Sequence, residues 1–308
     1  MISVPPQQAR LALIGLGRWG KQLIRVLDQT SDLRICCTQS AHYAVPFLRE
    51  NYPHVAHTSS AEEIFQRPDI DGVVIATPTS AHAALAKAAL RAGKHVLVEK
   101  PMTTDVASAE ELCELAAQVQ TVLCVGFVFL HHQVFEKILA LTQNAAATHL
   151  SVMWAKFGTF DSDISQNLAS HYVSMAIKLF DAVPTRATML SQRSVLSSCD
   201  IMSARLEFAN GQDCVMHIDR CSPVTHQVVT VLRDGAAPLV WHQQTLYQLS
   251  QGAPPQVIFE ASDAPLTREV LHFLAACRGD VSPLADATHG LAVAQTLENL
   301  IPLGGERL

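Results

Sequence analysis

The chain has 308 residues, 49% of them apolar, and a formal net charge of −6. That length exceeds one ordinary domain and sets an expectation of two, each with a sizeable core. The acidic balance and the lack of any basic cluster exclude nucleic acid and anionic membrane as expected partners, and no window of about 18 apolar residues is available to cross a bilayer.

Strand and helix patterns alternate through the first 125 residues. Leu11–Ile14 reads as a strand and Lys21–Leu27 as a helix with Leu23, Ile24 and Leu27 on one face. Leu33–Cys37, Gly72–Ala76, His95–Val98 and Val122–Val125 are further apolar strands. Val45–Asn51, Ala61–Phe65, Ala81–Ala92 and Ser108–Gln118 are helical, and Gly93 stands where a C-cap is needed. Buried strands alternating with helices make a parallel, doubly wound sheet of the Rossmann type. The pattern changes after Gly126. Thr148–Phe157, Arg186–Gln192, Ile201–Phe208, Cys214–Arg220, Gln227–Leu232 and Gln256–Glu260 read as strands, with Asn210-Gly211 as a hairpin signal between two of them. Helices are expected at Gln133–Leu141, Leu168–Leu179, Leu266–Cys277 and Asp286–Leu300. The expected division is therefore 1–125, a dinucleotide-binding Rossmann domain, and 126–308, an α+β domain with an open, mainly antiparallel sheet.

The chemistry-bearing motifs fall at strand ends. Gly15, Gly17 and Gly20, with Arg18 and Trp19 between them, form a G-x-G-x-x-G turn between the first strand and first helix. There Gly15 permits the tight turn, Gly17 lets backbone approach a pyrophosphate, and Gly20 lets helix pack on strand. The helix N-terminus offers free N–H groups to the phosphates. Ala76-Thr77-Pro78 and His82 follow another strand and face the same crevice by the rule that ligands bind outside carboxyl ends; His82 reads equally well as a cap of the next helix. An NAD site usually places an acid near Thr38-Gln39, to hold the ribose 2′-hydroxyl. No Asp or Glu occurs between Leu33 and Arg49. The expected cofactor is accordingly NAD(P), with NADP favoured over NAD, although no Arg stands beside Thr38. Glu99-Lys100-Pro101 closes the next strand.

Eight cysteines, at 36, 37, 113, 124, 199, 214, 221 and 277, show no C-x-x-C pairing and mostly sit in apolar runs. That usage implies a reduced, cytoplasmic setting. Fourteen histidines include no H-x-x-x-H or H-E-x-x-H pattern, so no metal is expected.

Together the three motifs resemble the glucose–fructose oxidoreductase, inositol dehydrogenase and MocA family along essentially the whole chain. The resemblance implies hydride transfer between nicotinamide and a hydroxyl or ketone carbon of a sugar-like substrate, seated between the nicotinamide and the open sheet. Arg18-Trp19 resembles a variant found in members acting on sugar nucleotides. It implies catalytic roles for Lys100 and His171, with Glu99 on the cofactor. It also implies a substrate pocket with Phe129 and Asn167, and a homodimer or homotetramer; His131 is a further candidate for that pocket or an exposed residue, and Lys156, at a strand end, reads as a candidate for an anionic substrate group or as a solvated lysine. Two departures stand out. The family's D-x-x-x-H motif is here Asn167-Leu168-Ala169-Ser170-His171, and Asn orients a hydroxyl but cannot take a proton; Asp161 and Asp163 are candidate replacements. His131, His132 and Gln133 stand where an aromatic-rich, proline-containing stretch is usual. A C=N (imine) reductase and a non-catalytic NAD(P)-binding sensor remain the alternatives.

Overall fold

The apolar runs of the N-terminal third assemble into one parallel sheet. The structure is a computed structural model that describes residues 9–119, 121–158 and 164–302, and the chain packs as two units. The first begins with β1 (Arg10–Ile14), α1 (Gly20–Thr30), β2 (Asp32–Cys37), α2 (Ala41–Asn51), β3 (Ala56–Thr58), α3 (Ala61–Phe65) and β4 (Gly72–Ile75). It continues with α4 (His82–Arg91), β5 (His95–Glu99), α5 (Val106–Val119) and β6 (Leu123–Gly126). The strand order is β3-β2-β1-β4-β5-β6, and every pairing is parallel. The chain runs outward from β1 in both directions, so a crevice opens where the order reverses, above β1 and β4. β1 and β4 are almost wholly buried on both faces, as strands covered by helices must be.

The second unit holds a nine-stranded sheet. Its elements are α6 (Gln133–Thr142), β7 (Ala147–Ala155), α7 (Ser170–Phe180), β8 (Arg186–Arg193), β9 (Ile201–Glu207), β10 (Asp213–Asp219) and β11 (His226–Arg233), followed by β12 (Ala236–His242), β13 (Thr245–Gln248) and β14 (Gln256–Glu260). All pairings among these are antiparallel except β7 with β10. The Asn210-Gly211 turn joins β9 to β10, with Gly211 at φ +82° and its N–H bonded to the Phe208 carbonyl at 3.1 Å. Along β7, Leu150, Val152 and Trp154 are buried while Ser151 and Met153 alternate onto the opposite, open face. Nearly all of α7 is buried, only Lys178 being part-exposed.

The remaining elements are α8 (Pro265–Cys277), α9 (Ala287–Glu298) and β15 (Ile301–Pro302), the last pairing with β8. Here the expected continuous domain 126–308 needs correction: Leu266–Leu291 belong to the first unit. The cause is the apolar stripe of α8. Val270, Phe273, Leu274 and Ala276 are buried in one cluster with Leu97 of β5 and Cys124 of β6. One full side of the first sheet is thus completed by a helix made far downstream.

Candidate active site

The Gly-rich turn shows two different uses of glycine. Gly15 has φ +103°, and a Cβ there would collide with the Ala76 carbonyl. A Cβ on Gly20 would likewise strike the Gly15 carbonyl. Both glycines are required by the packing of the fold itself. Gly17 is different, since a Cβ there would meet nothing within 4 Å. Its bareness serves something outside the chain.

That open space belongs to a cleft of about 820 Å³ at the carboxyl ends of β1, β2 and β4. Of the residues expected on the cofactor, Gly15, Gly17, Arg18, Trp19, Thr38, Gln39, Ala76, Thr77 and Pro78 line it. Ser40, Ser59, Ser80 and Leu85 line it too and were not anticipated; Ser40 and Ser59 follow β2 and β3, and their positions at strand ends were the available signal. No carboxylate is among the lining residues, and Arg18 is the cation there. The Thr77 hydroxyl is buried on this wall without a hydrogen-bond partner. A dinucleotide fits this arrangement: the bare Gly17 and the Gly15–Gly20 turn would take the pyrophosphate, Thr77 would gain a partner, and Thr38, Gln39 and Ser40 would meet the adenosine ribose.

Three residues expected on the cofactor stand elsewhere. Gly20 and His82 are not in the lining, and Glu99 lies behind it. His82 is buried, with Nδ1 2.9 Å from the Pro101 carbonyl and Nε2 2.9 Å from the Thr77 carbonyl. Two acceptors favour a doubly protonated ring, but burial outweighs them and holds the pKa below the ordinary histidine value. His82 is thus a tie between the loop after β4 and the loop after β5. Glu99 is buried at the end of β5. The Trp19 indole N–H donates to its Oε1, and the Lys100 backbone N–H donates to Oε2 at 3.3 Å. Gly126, its register partner on β6, makes room for this carboxyl: a Cβ there would stand 3.1 Å from it.

Lys100 follows Glu99 and is partly buried. Desolvation pushes its ammonium down to about 8, against the opposing pull of Glu99. Glu99 is itself raised to about 7 by burial, with Trp19 and Lys100 acting in the opposite direction. Lys100 is not in the cleft lining, but it directly follows Glu99, to which the lining Trp19 donates, and a lysine lowered to about 8 can exchange a proton and stabilise an oxyanion.

In the second unit two of the expected substrate residues, Phe129 and His171, meet among other aromatic rings. His171, in the first turn of α7, is buried with its ring 4.6 Å from Phe129 and 6.4 Å, edge-on, from Phe127. Phe129 also meets Tyr172 and Trp241, and the His132 ring lies 4.5 Å from Trp241. His131 and His132 are buried, and His132 Nδ1 accepts the Val134 N–H at the start of α6. Asn167 does not share a regular helix with His171. Ser165–Ala169 form a π-helical turn that ends where α7 begins, so the four-residue spacing no longer stacks the two side chains as an α-helix would. Such widened turns recur at functional sites. Lys156 is exposed at the end of β7, its backbone N–H on the Asp219 carbonyl at 2.9 Å, as a solvated strand-end lysine. Asp161 and Asp163 lie outside the described residues. Among the described residues no group of three or more His, Cys, Asp or Glu is placed to hold a metal, and no helix is long and apolar enough to cross a membrane.

Residues 9–127 match the family model described as an oxidoreductase family with an NAD-binding Rossmann fold, the Gfo/Idh/MocA model. The match takes in the whole parallel sheet but less than half of the chain. Its relatives include UDP-N-acetylglucosamine 3-dehydrogenase of Acidithiobacillus ferrooxidans, 29% identical over 214 residues, which make up 66% of this chain and 64% of that protein. Another is dTDP-3,4-didehydro-2,6-dideoxy-alpha-D-glucose 3-reductase of Streptomyces violaceoruber, 35% identical over 96 residues, 31% of this chain and 28% of that protein. The chain thus matches less than two thirds of the length of either. The solved structure of UDP-N-acetylglucosamine 3-dehydrogenase from Acidithiobacillus ferrooxidans superposes with a TM-score of 0.86 at 22% identity, covering 94% of this chain and 96% of that one. That likeness is one of fold, and it takes in residues of both units.

Proposed function

We propose that this chain is a Gfo/Idh/MocA-type, NAD(P)-dependent oxidoreductase acting on a hydroxyl or ketone carbon of a sugar-like or sugar-nucleotide molecule. The observation that carries the reading is Lys100: a partly buried amine, lowered to about 8, following the strand that adjoins the dinucleotide-shaped cleft. Relatives named as 3-dehydrogenase and 3-reductase of nucleotide sugars support the substrate class.

When bound, the nicotinamide supplies or accepts the hydride. Lys100 holds the substrate oxygen and stabilises negative charge as it develops there. Lys100 and His171 assist transfer of that oxygen's proton, and the contacts of His171 with Phe127 and Phe129 fix its ring plane. Asn167 orients a neighbouring hydroxyl. The absence of a carboxylate from the cleft lining favours NADP over NAD, with Arg18 as the residue offered to the extra phosphate. The setting is the cytoplasm, in keeping with eight free cysteines. The open face of the nine-stranded sheet, with Met153 and Leu232 each 40% exposed, pairs copies of the chain. Light scattering tests that point: a particle larger than one chain is expected, reduced in size by Met153→Arg.

The decisive experiment follows oxidation of NADH and NADPH by absorbance against ketosugars, sugar nucleotides and cyclic imines. Turnover with a sugar, lost by ~10²-fold or more in Lys100→Ala while cofactor still binds, is the expected result. Turnover with imines alone transfers the assignment to C=N reduction. Wild-type turnover in Lys100→Ala removes the mechanism.

A further inference from the structure

Behind the cofactor cleft the first unit buries a second carboxyl that the mechanism above does not use. Glu269 on α8 is 2% exposed, and neither of its carboxyl oxygens has a hydrogen-bond partner. It occupies a core position of the helix, one residue before Val270 and one turn before Phe273, on the face that covers Leu97 and Cys124. Leu97 and Glu99 lie on the same side of β5, as do Cys124 and Gly126 on β6, and the two pairs are in register. Glu269 therefore lies over the strand ends where Glu99 is buried, and the charges of the two carboxyls act on each other.

A buried carboxyl without donors is stable only as the neutral acid. The other groups here settle which member ionises first. Glu99 has the Trp19 and Lys100 N–H donors and the nearby Lys100 charge. Glu269 feels the charge of Glu99, and Glu269 and Asp286, the latter bridged to Cys124, both push up the Cys124 thiol. Cys277 on the same helix is an un-ionised thiol, pushed up to about 12 by burial.

We propose that Glu99 and Glu269 form a buried proton-binding site linked through Trp19 to the charge of the ring bound in the cofactor cleft. Trp19 is both a wall of the cleft and the donor to Glu99, so one hydrogen bond separates the wall from the pair. A cationic, oxidised ring lowers the pair's affinity for its proton, and a neutral, reduced ring restores it. During oxidation of an alcohol the hydride removes the ring's charge while the hydroxyl proton passes to the Lys100 amine. The pair then gains affinity for a proton at the moment one is released beside it. The inference rests on the proposed oxidoreductase reading for its use, but not for its detection.

Two measurements test it. Calorimetry of cofactor binding in two buffers of different protonation heat gives the protons exchanged. The wild type should release up to about one proton more with the oxidised than with the reduced cofactor. At least half of this difference should vanish in Glu269→Gln and persist in Lys100→Met. Equal release for both cofactor forms, or a difference lost in Lys100→Met, overturns the pair as the source. Infrared difference spectra need neither cofactor nor turnover. A protonated carboxyl band should remain in the wild type above pH 7, beyond the Glu99 value. It should disappear in Glu269→Gln and titrate at lower pH in Glu99→Gln, where the neighbouring anion is gone. Absence of the band in the wild type sinks the proposal, whatever becomes of the oxidoreductase reading or of the folding of either variant.

Discussion

Single atoms at the cleft separate what the fold needs from what a ligand needs. Gly15 and Gly17 are two residues apart in one motif, yet a methyl group at the first meets backbone and at the second meets empty space. Gly15→Ala should cost at least ~1 kcal/mol of stability, because φ +103° is closed to a side chain. Gly17→Ala should leave the melting temperature unchanged and weaken cofactor binding; thermal unfolding and a binding titration on both variants check this. Lys100 carries a pH signature of the same local kind. Carbonyl reduction requires its ammonium, so the rate should fall as pH rises through about 8, while alcohol oxidation requires the free amine and should rise over the same range. The motif was legible in the sequence because its glycines have fixed jobs. The division of labour among them was not, since it depends on where Ala76 approaches.

Among elements, the loops after β4 and β5 are held together by His82. Its lowered value means that the unfolded chain binds a proton more readily than the folded one. Stability should therefore be present above the ordinary imidazole range and lost as pH falls through about 6.5 and below. His82→Gln should flatten that acid limb in thermal melts and lower stability by ~1–3 kcal/mol through the carbonyl it strands. The strands that sequence periodicity did not reveal share a cause. β12 contains Pro238, tolerated because the β11–β12 register shifts opposite it between Val231 and Arg233. β13 and β3 are four and three residues long, too short for alternation to show. The long helices and buried strands, whose patterns run for several residues, were legible throughout. The π-turn before α7 was not, because one extra residue in a helical turn leaves no mark on composition. Glu269 did leave one: an acid at a core position of the stripe Leu266, Val270, Phe273, Leu274.

For the whole molecule, the interrupted first unit is the principal departure from a simple two-domain reading. An amphipathic helix announces that it has an apolar face but not which core will take it, so residues 265–277 were legible as a helix and illegible as part of the first unit. Without α8, Leu97 and Cys124 lose their cover. A fragment of residues 1–126 should accordingly aggregate or lack cooperative unfolding, and joining 266–291 to it should restore a cooperative transition by circular dichroism.

The same interruption dictates a timetable for synthesis. A ribosome releases the six parallel strands early, yet the helix that seals their far side emerges only after residues 127–265 have been made. The later-made sheet, apart from its closing strand β15, has all its pieces in one stretch and is free to close while the earlier one waits. Completion of the nucleotide cleft's foundations is thus postponed until residues 266–291 have been made. A protein stalled short of α8 would carry every cleft-lining side chain and still offer chaperones and proteases a bare, greasy face.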